Sequence, residues 1–294
     1  MLGGLGNQLF QLAFGHLSNP KHDGLRIFSD VHARSDRPFD VEPLIAKNGT
    51  CSHSRNMGYK ASLFVDYRIR LIRKLIYKNL EFLVPASEIL MKINYEKIPY
   101  IYENFESIIR KRNRVSYGYF QHWKYVDMVW DSFGVELLSA ISKINLPEFI
   151  NNKIKDSVVI HIRQGDYRDL QSSFGILAHS YYEDIVLKIR KEFGDKRIIV
   201  VTDDVLGAKN TLKSLQVEEY YGPDELGAWK TLKLMSLAPI LVTANSTLSW
   251  WGGFIASKSG SHVFMPSPWF KNLHDWPGDA YYFPKARLVE SRFI

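Results

Sequence analysis

Apolar runs and helical patterns alternate along the second half of the chain. Short, mostly β-branched apolar runs predict strands at 158–162, 197–202, 240–243 and 262–265. Apolar residues at helical spacing predict helices at 181–193 and 229–236. Strands that alternate with helices at this spacing are typical of βαβ units around a parallel sheet. The pattern therefore predicts an α/β fold.

The first half of the chain, to about Pro147, is richer in helical patterns. These lie at 7–17, 61–80 and 130–144, with strand-like pieces at 25–28 and 115–120. The segment 146–156 is polar and contains one proline, which predicts a linker. Together with the length of 294 residues, this predicts two domains, 1–150 and 151–294.

Composition restricts the class of protein. Hydrophobic residues make up 46% of the chain, enough for a packed core, and the single cysteine, Cys51, excludes an intrachain disulfide. The sequence contains no run of about 18 apolar residues, so it predicts no membrane-spanning helix. The start of the chain lacks the basic and apolar regions of a secretory signal. We therefore expect a cytoplasmic protein.

The net charge of +7 suggests an anionic partner: nucleic acid, membrane surface or a phosphorylated ligand. The segment 68–78, RIRLIRKLIYK, predicts a helix with an apolar face and a basic face. Two interpretations stay open for it, a core helix with a solvated basic face and a peripheral membrane contact. No nucleic-acid-binding motif accompanies the charge, so we expect no nucleic acid partner.

The segment 161–167, HIRQGDY, directly follows an apolar strand. Polar residues there lie at the carboxyl end of the strand, where open α/β sheets bind their ligands. The guanidinium of Arg163 is a permanent cation that matches a phosphate, and Asp166 is a candidate base. The alternative is structural, with Asp166 merely pairing Arg163 and His161 buried.

Two further strand ends carry polar residues. Asp203 and Asp204 follow the strand at 197–202, where they are candidates to contact a nucleotide, although Asp204 also suits a helix N-cap. Asn245, Ser246 and Thr247 follow the next strand and suit a helix N-terminus that binds an anion. Because the three strand ends share one edge of one sheet, together they predict a nucleotide-diphosphate site.

A glycine-rich loop, 3–8, precedes the first helical pattern. Gly4 and Gly6 allow close backbone approach to a phosphate or sugar, and Asn7 and Gln8 open the helix, so these four residues are candidates to contact such a ligand. The alternative is a structural strand-to-helix turn. The dinucleotide Gly-x-Gly-x-x-Gly spacing is absent. Such a loop normally follows a strand, which leads us to expect either a missing first strand or a natural start further upstream.

Five segments of the chain resemble bacterial α-1,2-fucosyltransferases of glycosyltransferase family 11. They are GGLGNQLFQ (3–11), GYFQHWKY (118–125), HIRQGDY (161–167), TDD (202–204) and NSTLSWWGGF (245–254). The resemblance implies a GT-B fold with two Rossmann-like domains facing a cleft. It implies transfer of fucose from GDP-β-L-fucose to the 2-hydroxyl of a galactose-type acceptor, with inversion and no essential metal or cofactor.

The resemblance also implies roles for particular residues. Arg163 matches the family arginine that holds the donor diphosphate, while the usual second arginine is replaced by Gln164. The acceptor, a galactose-terminated glycan that is free or lipid-linked, is expected on the N-terminal domain. Two interpretations stay open for its aromatic residues Tyr119, Phe120 and Trp123, stacking on a sugar face and packing in the core.

The chemistry of inversion, and not the resemblance, makes Asp166 the first candidate base. If Asp166 only orients Arg163, the alternatives are His16 or His161 as the base, or an oxocarbenium-like transition state that needs no strong base.

Rival functions remain at this point. One is a transferase for another nucleotide sugar, which competition by GDP against UDP separates. Another is a non-catalytic nucleotide- or glycan-binding protein, which binds GDP without turnover. A third is a membrane adaptor that uses 68–78, and its liposome binding would not depend on Arg163.

Overall fold

The structure is a computed structural model that describes residues 3–18, 25–27, 40–45, 51–53, 94–97, 114–272 and 278–294. The predicted helix at 61–80, with its basic segment 68–78, lies outside the described residues. The chain divides into two compact units, Met1–Gly134 and Val135–Ile294. No helix among the described residues is long and apolar enough to cross a membrane.

The first unit contains short helices and two pairs of parallel strands, β1 with β2 and β3 with β4. Its longest described helix, α1, buries Leu5, Leu9, Leu12 and Ala13, a spacing of three and four that places them on one face. Its elements are α1 (Leu5–Ser18), β1 (Leu25–Ile27), α2 (Glu42–Ile45), β2 (Cys51–His53), β3 (Asn94–Lys97), β4 (Arg114–Tyr117), α3 (Trp123–Met128) and a π-helical turn (Trp130–Gly134).

The second unit is built on a six-stranded parallel sheet. Its elements are α4 (Val135–Ser142), α5 (Glu148–Ile154), β5 (Ser157–Ile162), a 3₁₀ turn (Asp166–Arg168), α6 (His179–Phe193), β6 (Arg197–Thr202), α7 (Val205–Thr211), β7 (Glu219–Tyr221), α8 (Ala228–Ser236), β8 (Ile240–Val242), α9 (Thr247–Lys258), β9 (His262–Ser267), a 3₁₀ turn (Gly278–Tyr281) and β10 (Ala286–Glu290). The predicted α/β class is confirmed.

The strand order, β10-β9-β8-β5-β6-β7, creates a topological switch point between β5 and β8. From β5 the chain proceeds to β6 and β7 on one side, and from β8 to β9 and β10 on the other. The loops that leave β5 and β8 therefore diverge, and the crevice between them is where such sheets bind ligands.

Both faces of the sheet are covered, which explains why β5 is apolar at nearly every position. Val158, Ile160 and Ile162 pack with α6 and α7 on one face. Val159 packs on the other face with α5 and α8, in a cluster that includes Ile150 and Ile154.

Two local predictions differ from the structure. The predicted linker at 146–156 contains helix α5, because Ile150 and Ile154 are four residues apart and both enter the core. The predicted single helix at 130–144 is a π-helical turn followed by α4. The functional assignment of the ranges 1–150 and 151–294, and a cleft between two domains, stay predictions.

Candidate functional site

Arg163, the first residue after β5, is held by two carboxylates. Its Nη2 lies 2.7 Å from Oδ1 of Asp166, and its Nε lies 3.2 Å from Oδ2 of Asp203. The arginine side chain is 20% exposed. Two carboxylates fix the planar guanidinium while part of it still reaches solvent at the switch point.

Asp203, which follows β6, also organises the backbone after Arg163. Its Oδ1 accepts a hydrogen bond from the Gln164 amide at 2.9 Å, and its Oδ2 accepts one from the Gly165 amide at 3.0 Å. A Cβ added at Gly165 would lie only 2.6 Å from Oδ2 of Asp203, so this close approach requires glycine. The carboxylate predicted to contact a nucleotide thus positions the arginine loop.

Asp204 has the other role considered for it, that of helix N-cap. Its Oδ1 accepts from the Gly207 amide at 2.9 Å at the start of α7. Its second oxygen pairs with Arg168. The two neighbouring aspartates therefore serve different elements, Asp203 the loop after β5 and Asp204 the helix after β6.

Gln164 points toward α7. Its side chain is 6% exposed, and its Nε2 donates to Oγ1 of Thr211 at 2.7 Å. The position at which the resemblance implies a second arginine is therefore buried in this chain. A neutral amide suits such a position because a buried charge needs a partner.

Tyr167 links the arginine loop to the neighbouring strand end, a role that the motif comparison missed. Its ring lies 5.7 Å from Cζ of Arg163, and its hydroxyl donates to the Asn245 carbonyl at 2.8 Å. An aromatic residue four positions after an arginine was the available signal, but the contact with the segment after β8 depends on the sheet order.

The segment before α9 combines a buried amide with a helix N-terminus. Asn245 is 1% exposed, and its Nδ2 donates to the carbonyls of Phe174 and Gly175 at 3.0 and 3.1 Å. Ser246 is the N-cap and makes no side-chain cap hydrogen bond, and Thr247 begins the helix. The N-terminus of α9 thus lies at the switch point, where its positive dipole end favours an anion.

His161, on β5, is 3% exposed, and its Nδ1 has no hydrogen-bond partner among the described residues. Burial and the nearby Arg163 cation lower its pKa to about 3. The imidazole is therefore neutral at physiological pH and a weak base. Its predicted catalytic role stays untested.

Trp250 and Trp251 of α9 are both core residues. Each is fully buried, because α9 packs against α8 and β9. Nε1 of Trp250 donates to the Tyr281 carbonyl at 2.7 Å. Neither tryptophan is exposed to a ligand.

The glycine loop belongs to the first unit and leads directly into α1. The side chain of Gln8 donates to the Gly3 carbonyl at 2.8 Å and accepts from the Asp40 amide at 2.9 Å. Oδ1 of Asn7 accepts from the Gln121 side chain at 2.7 Å. These bonds shape the loop around Gly4 and Gly6, and the predicted donor contacts of the four residues stay predictions.

The aromatic segment before α3 is partly core. Phe120 is buried and stacks on Phe14 with ring centroids 4.1 Å apart, whereas Tyr119 and Trp123 are half-buried. His16, one candidate base, is buried in α1 with its ring 5.0 Å from Phe133. Tyr119 and Trp123 stay predicted acceptor contacts.

The structure brings together the residues predicted at three strand ends of the second unit. Arg163, Asp166 and Asp203 are in direct contact, and Tyr167 connects them to Asn245. Within the part of the chain that is described, no group of three or more His, Cys, Asp or Glu side chains could hold a metal ion.

A family comparison decides the class of this site. The sequence profile of "Glycosyl transferase family 11" matches residues 66–274, more than two thirds of the chain. The chain belongs to glycosyl transferase family 11. It is therefore a glycosyltransferase, and the family match includes every strand-end motif described above.

Two relatives in Escherichia coli match nearly the whole chain. An "O-antigen biosynthesis glycosyltransferase WbnK" is 27% identical over 290 residues, with 91% of this chain and 93% of the relative covered. An "Alpha-1,2-colitosyltransferase" is 23% identical over 290 residues, with 92% and 91% covered. Each of these two matches covers more than nine tenths of both chains.

Solved structures of other glycosyltransferases are more distant from this family 11 chain. A glycosyl transferase family 9 protein from Veillonella parvula aligns with a TM-score of 0.45 at 9% identity, covering 99% of this chain and 85% of that one. The E. coli ADP-heptose LPS heptosyltransferase II gives 0.43 at 8%, covering 97% and 87%. We base no inference on likenesses this distant.

Proposed function

We propose that this glycosyltransferase moves L-fucose from GDP-β-L-fucose to the 2-hydroxyl of a galactose-type acceptor, with inversion, during synthesis of a surface glycan such as O-antigen. The observation that carries the proposal is the fixed guanidinium of Arg163 at the switch point beside the N-terminus of α9. The family and the O-antigen relative support the transferase class and its context.

The departing GDP gains negative charge as the bond to the sugar breaks. Arg163 is a permanent cation whose direction is fixed before the reaction, so it stabilises this charge without reorganisation. The backbone amides at the start of α9, near Ser246 and Thr247, add a second positive region. We assign both to the diphosphate, and no metal or other cofactor is part of the proposal.

Asp166 has two candidate roles in this proposal. As a base it would take the proton of the acceptor 2-hydroxyl, and its 39% exposed side chain is accessible to an acceptor. As an orienting group it would only hold Arg163. Asp166→Asn distinguishes the roles, because loss of the base lowers turnover far more than GDP binding, whereas loss of orientation lowers both together.

The acceptor is assigned to the first unit. Tyr119 and Trp123 are half-buried and present part of an aromatic surface, which suits a sugar face. Galactose-terminated glycans, free or lipid-linked, are the proposed acceptors. Peripheral membrane contact through 68–78 is a separate proposal, tested by liposome binding of the wild-type chain.

A second donor is favoured by a specific observation. One relative is named for transfer of colitose, a different sugar from fucose. The alternative proposal is therefore that this chain transfers colitose from its GDP derivative with the same α-1,2 linkage. The diphosphate site would be used in the same way under both proposals, which differ only in the sugar that is transferred.

The test measures GDP release from GDP-fucose, with and without galactose-terminated acceptors. GDP-colitose, UDP-galactose and ADP-heptose are tested separately as alternative donors, with release of GDP, UDP or ADP measured for each. Acceptor-dependent release with GDP-fucose alone supports the proposal, and release with GDP-colitose alone supports the alternative. Release only with a UDP or ADP sugar contradicts both, and GDP binding without release indicates a binding protein.

A matched pair of variants links the activity to the site. Arg163→Ala should lower turnover by about 100-fold or more, the cost of removing a preorganised group that stabilises developing charge. Arg190→Ala removes an arginine in the last turn of α6 that pairs with the exposed Asp195, and should leave turnover unchanged. Near-native turnover of Arg163→Ala would overturn the diphosphate role.

A further inference from the structure

Three residues at the switch point form a closed set of contacts through side chains and main-chain carbonyls, which we call the latch: Tyr167, Phe174 and Asn245. The Tyr167 hydroxyl donates to the Asn245 carbonyl at 2.8 Å. The rings of Tyr167 and Phe174 stack with centroids 5.4 Å apart and an interplanar angle of 29°. The side-chain Nδ2 of Asn245 donates to the Phe174 main-chain carbonyl at 3.0 Å.

The orientation of the Asn245 side chain follows from its partners. Its Nδ2 faces two carbonyls, those of Phe174 and Gly175, which can only accept hydrogen bonds. The side chain is 1% exposed, so water cannot replace these bonds. The Asn245 amide nitrogen is therefore committed to the loop at 174–175, and its role there is to anchor that loop.

Tyr167 belongs to both halves of the predicted diphosphate site. Its ring lies 5.7 Å from Cζ of Arg163, and its hydroxyl is bonded to the residue immediately before the Ser246 N-cap. The loop after β5 and the segment after β8 diverge from the switch point, because the chain continues in opposite directions from these strands. The latch joins them across this divergence.

We propose that Tyr167 is a positioning residue that fixes Arg163 and the N-terminus of α9 relative to each other, so that both contact the same nucleoside diphosphate. The proposal rests on the proposed function. A site whose two cationic parts are fixed before binding loses less conformational freedom when the ligand binds. Releasing the hydroxyl contact therefore weakens GDP binding and the donor step, while acceptor binding is unaffected.

The test compares two tyrosines that each donate to a main-chain carbonyl after β8. Tyr167→Phe removes the bond to the Asn245 carbonyl and keeps the ring beside Arg163. Tyr181→Phe removes a bond of 3.0 Å to the Thr243 carbonyl, in the buried core. Loss of one hydrogen bond predicts roughly fivefold weaker GDP binding and roughly fivefold higher donor KM for Tyr167→Phe.

Tyr181→Phe is expected to lower the melting temperature without changing GDP affinity, donor KM or acceptor KM. Tyr167→Leu, which also removes the ring from Arg163 and Phe174, should weaken GDP binding further than Tyr167→Phe does. Unchanged GDP affinity in Tyr167→Phe overturns the proposal. Equal weakening in Tyr167→Phe and Tyr181→Phe also overturns it, because general loss of stability would then explain both.

Hydrogen exchange of the ligand-free protein separates this proposal from the function itself. Tyr167→Phe should speed exchange of the amides at 164–168 and 245–249 about fivefold, and Tyr181→Phe should not. If the wild-type chain neither binds GDP nor turns over a GDP sugar, the proposed function fails. In that case faster exchange in both segments still supports a latch, and unchanged exchange overturns it.

Discussion

Asp203 contacts both the side chain of Arg163 and the backbone that follows it. The Asp203 carboxylate contacts the arginine Nε at 3.2 Å and accepts from the two amides that follow Arg163. One carboxylate therefore sets the direction of the guanidinium and the path of the loop that carries it. Because Asp203 lies on the neighbouring strand end, the arginine is fixed to the sheet and not only to its own loop.

Asp203→Asn tests this relationship with little change in shape. The asparagine keeps one acceptor oxygen, but its NH2 group must face either an amide donor or the guanidinium. We expect the free energy of unfolding to fall by about 1–3 kcal/mol, the range for a lost hydrogen bond to a charged group. Donor KM should rise because Arg163 loses one of its two carboxylates. Urea denaturation and steady-state kinetics measure the two effects.

Asp195→Asn is the matched control for Asp203→Asn. Its carboxylate pairs with Arg190, but the side chain is 84% exposed. Exposed pairs contribute little, so its unfolding free energy should stay within about 0.5 kcal/mol of the wild type and donor KM should not change. Equal effects of the two substitutions would contradict the role assigned to Asp203.

The parallel sheet could be predicted from the sequence wherever both faces of a strand are buried. The predicted strands at 158–162, 197–202 and 240–243 agree with β5, β6 and β8 to within a residue at each end. The edge strands β7 and β10 were missed. In β10 only Val289 is buried, and in β7 only the third residue is buried, so neither has the long apolar run that identifies a central strand.

The contact between Arg163 and Asp203 could be anticipated because adjacent parallel strands end at one edge. The different roles of Asp203 and Asp204 could not be anticipated, since two neighbouring carboxylates look alike in sequence. Their roles depend on which amides the following turn exposes. The bond from Tyr167 to Asn245 was also beyond prediction, because it requires β8 to lie beside β5.

Asp204 is predicted to act on stability and not on the donor. Asp204→Ala removes the N-cap of α7 and should lower the free energy of unfolding by about 1 kcal/mol. Asp204→Asn, which can still cap the helix, is the control and should retain most of that stability. Thermal or urea denaturation measures the change. A donor KM raised as much as in Asp203→Asn would contradict this assignment.

Gln164→Arg tests the position at which the resemblance implies a second arginine. We expect GDP affinity within about twofold of the wild type, because the side chain points to Thr211 and not toward Arg163. The melting temperature should fall, since the substitution removes a buried hydrogen bond and introduces a charge at a position that is 6% exposed. Calorimetric titration with GDP and a thermal melt measure the two effects.

Gln164→Glu is the companion variant for Gln164→Arg. It also places a charge at the buried position, but of the opposite sign. Both variants should be less stable than the wild type if burial is the cause. GDP binding about tenfold tighter in Gln164→Arg would show that this position faces the donor, contrary to the geometry.

His161 should make the protein sensitive to acid. Burial and the Arg163 cation lower its pKa to about 3, against about 6.5 in an unfolded chain. Between these values the unfolded chain binds a proton that the folded chain does not, so stability falls as the pH falls. Above about pH 6.5 His161 is neutral in both states, so stability no longer depends on its protonation. At about pH 5 stability should have decreased by roughly 2 kcal/mol, since each pH unit corresponds to about 1.4 kcal/mol.

His161→Gln removes this titration and should therefore show a smaller loss of stability than the wild type between about pH 7 and pH 5. Urea denaturation at several pH values gives the difference directly. His262→Gln, which replaces an exposed histidine at the start of β9, is the comparison variant. If His161→Gln and the wild type show the same pH dependence, the folded chain accommodates a protonated His161. That result would contradict the assignment of His161 as a neutral, buried imidazole.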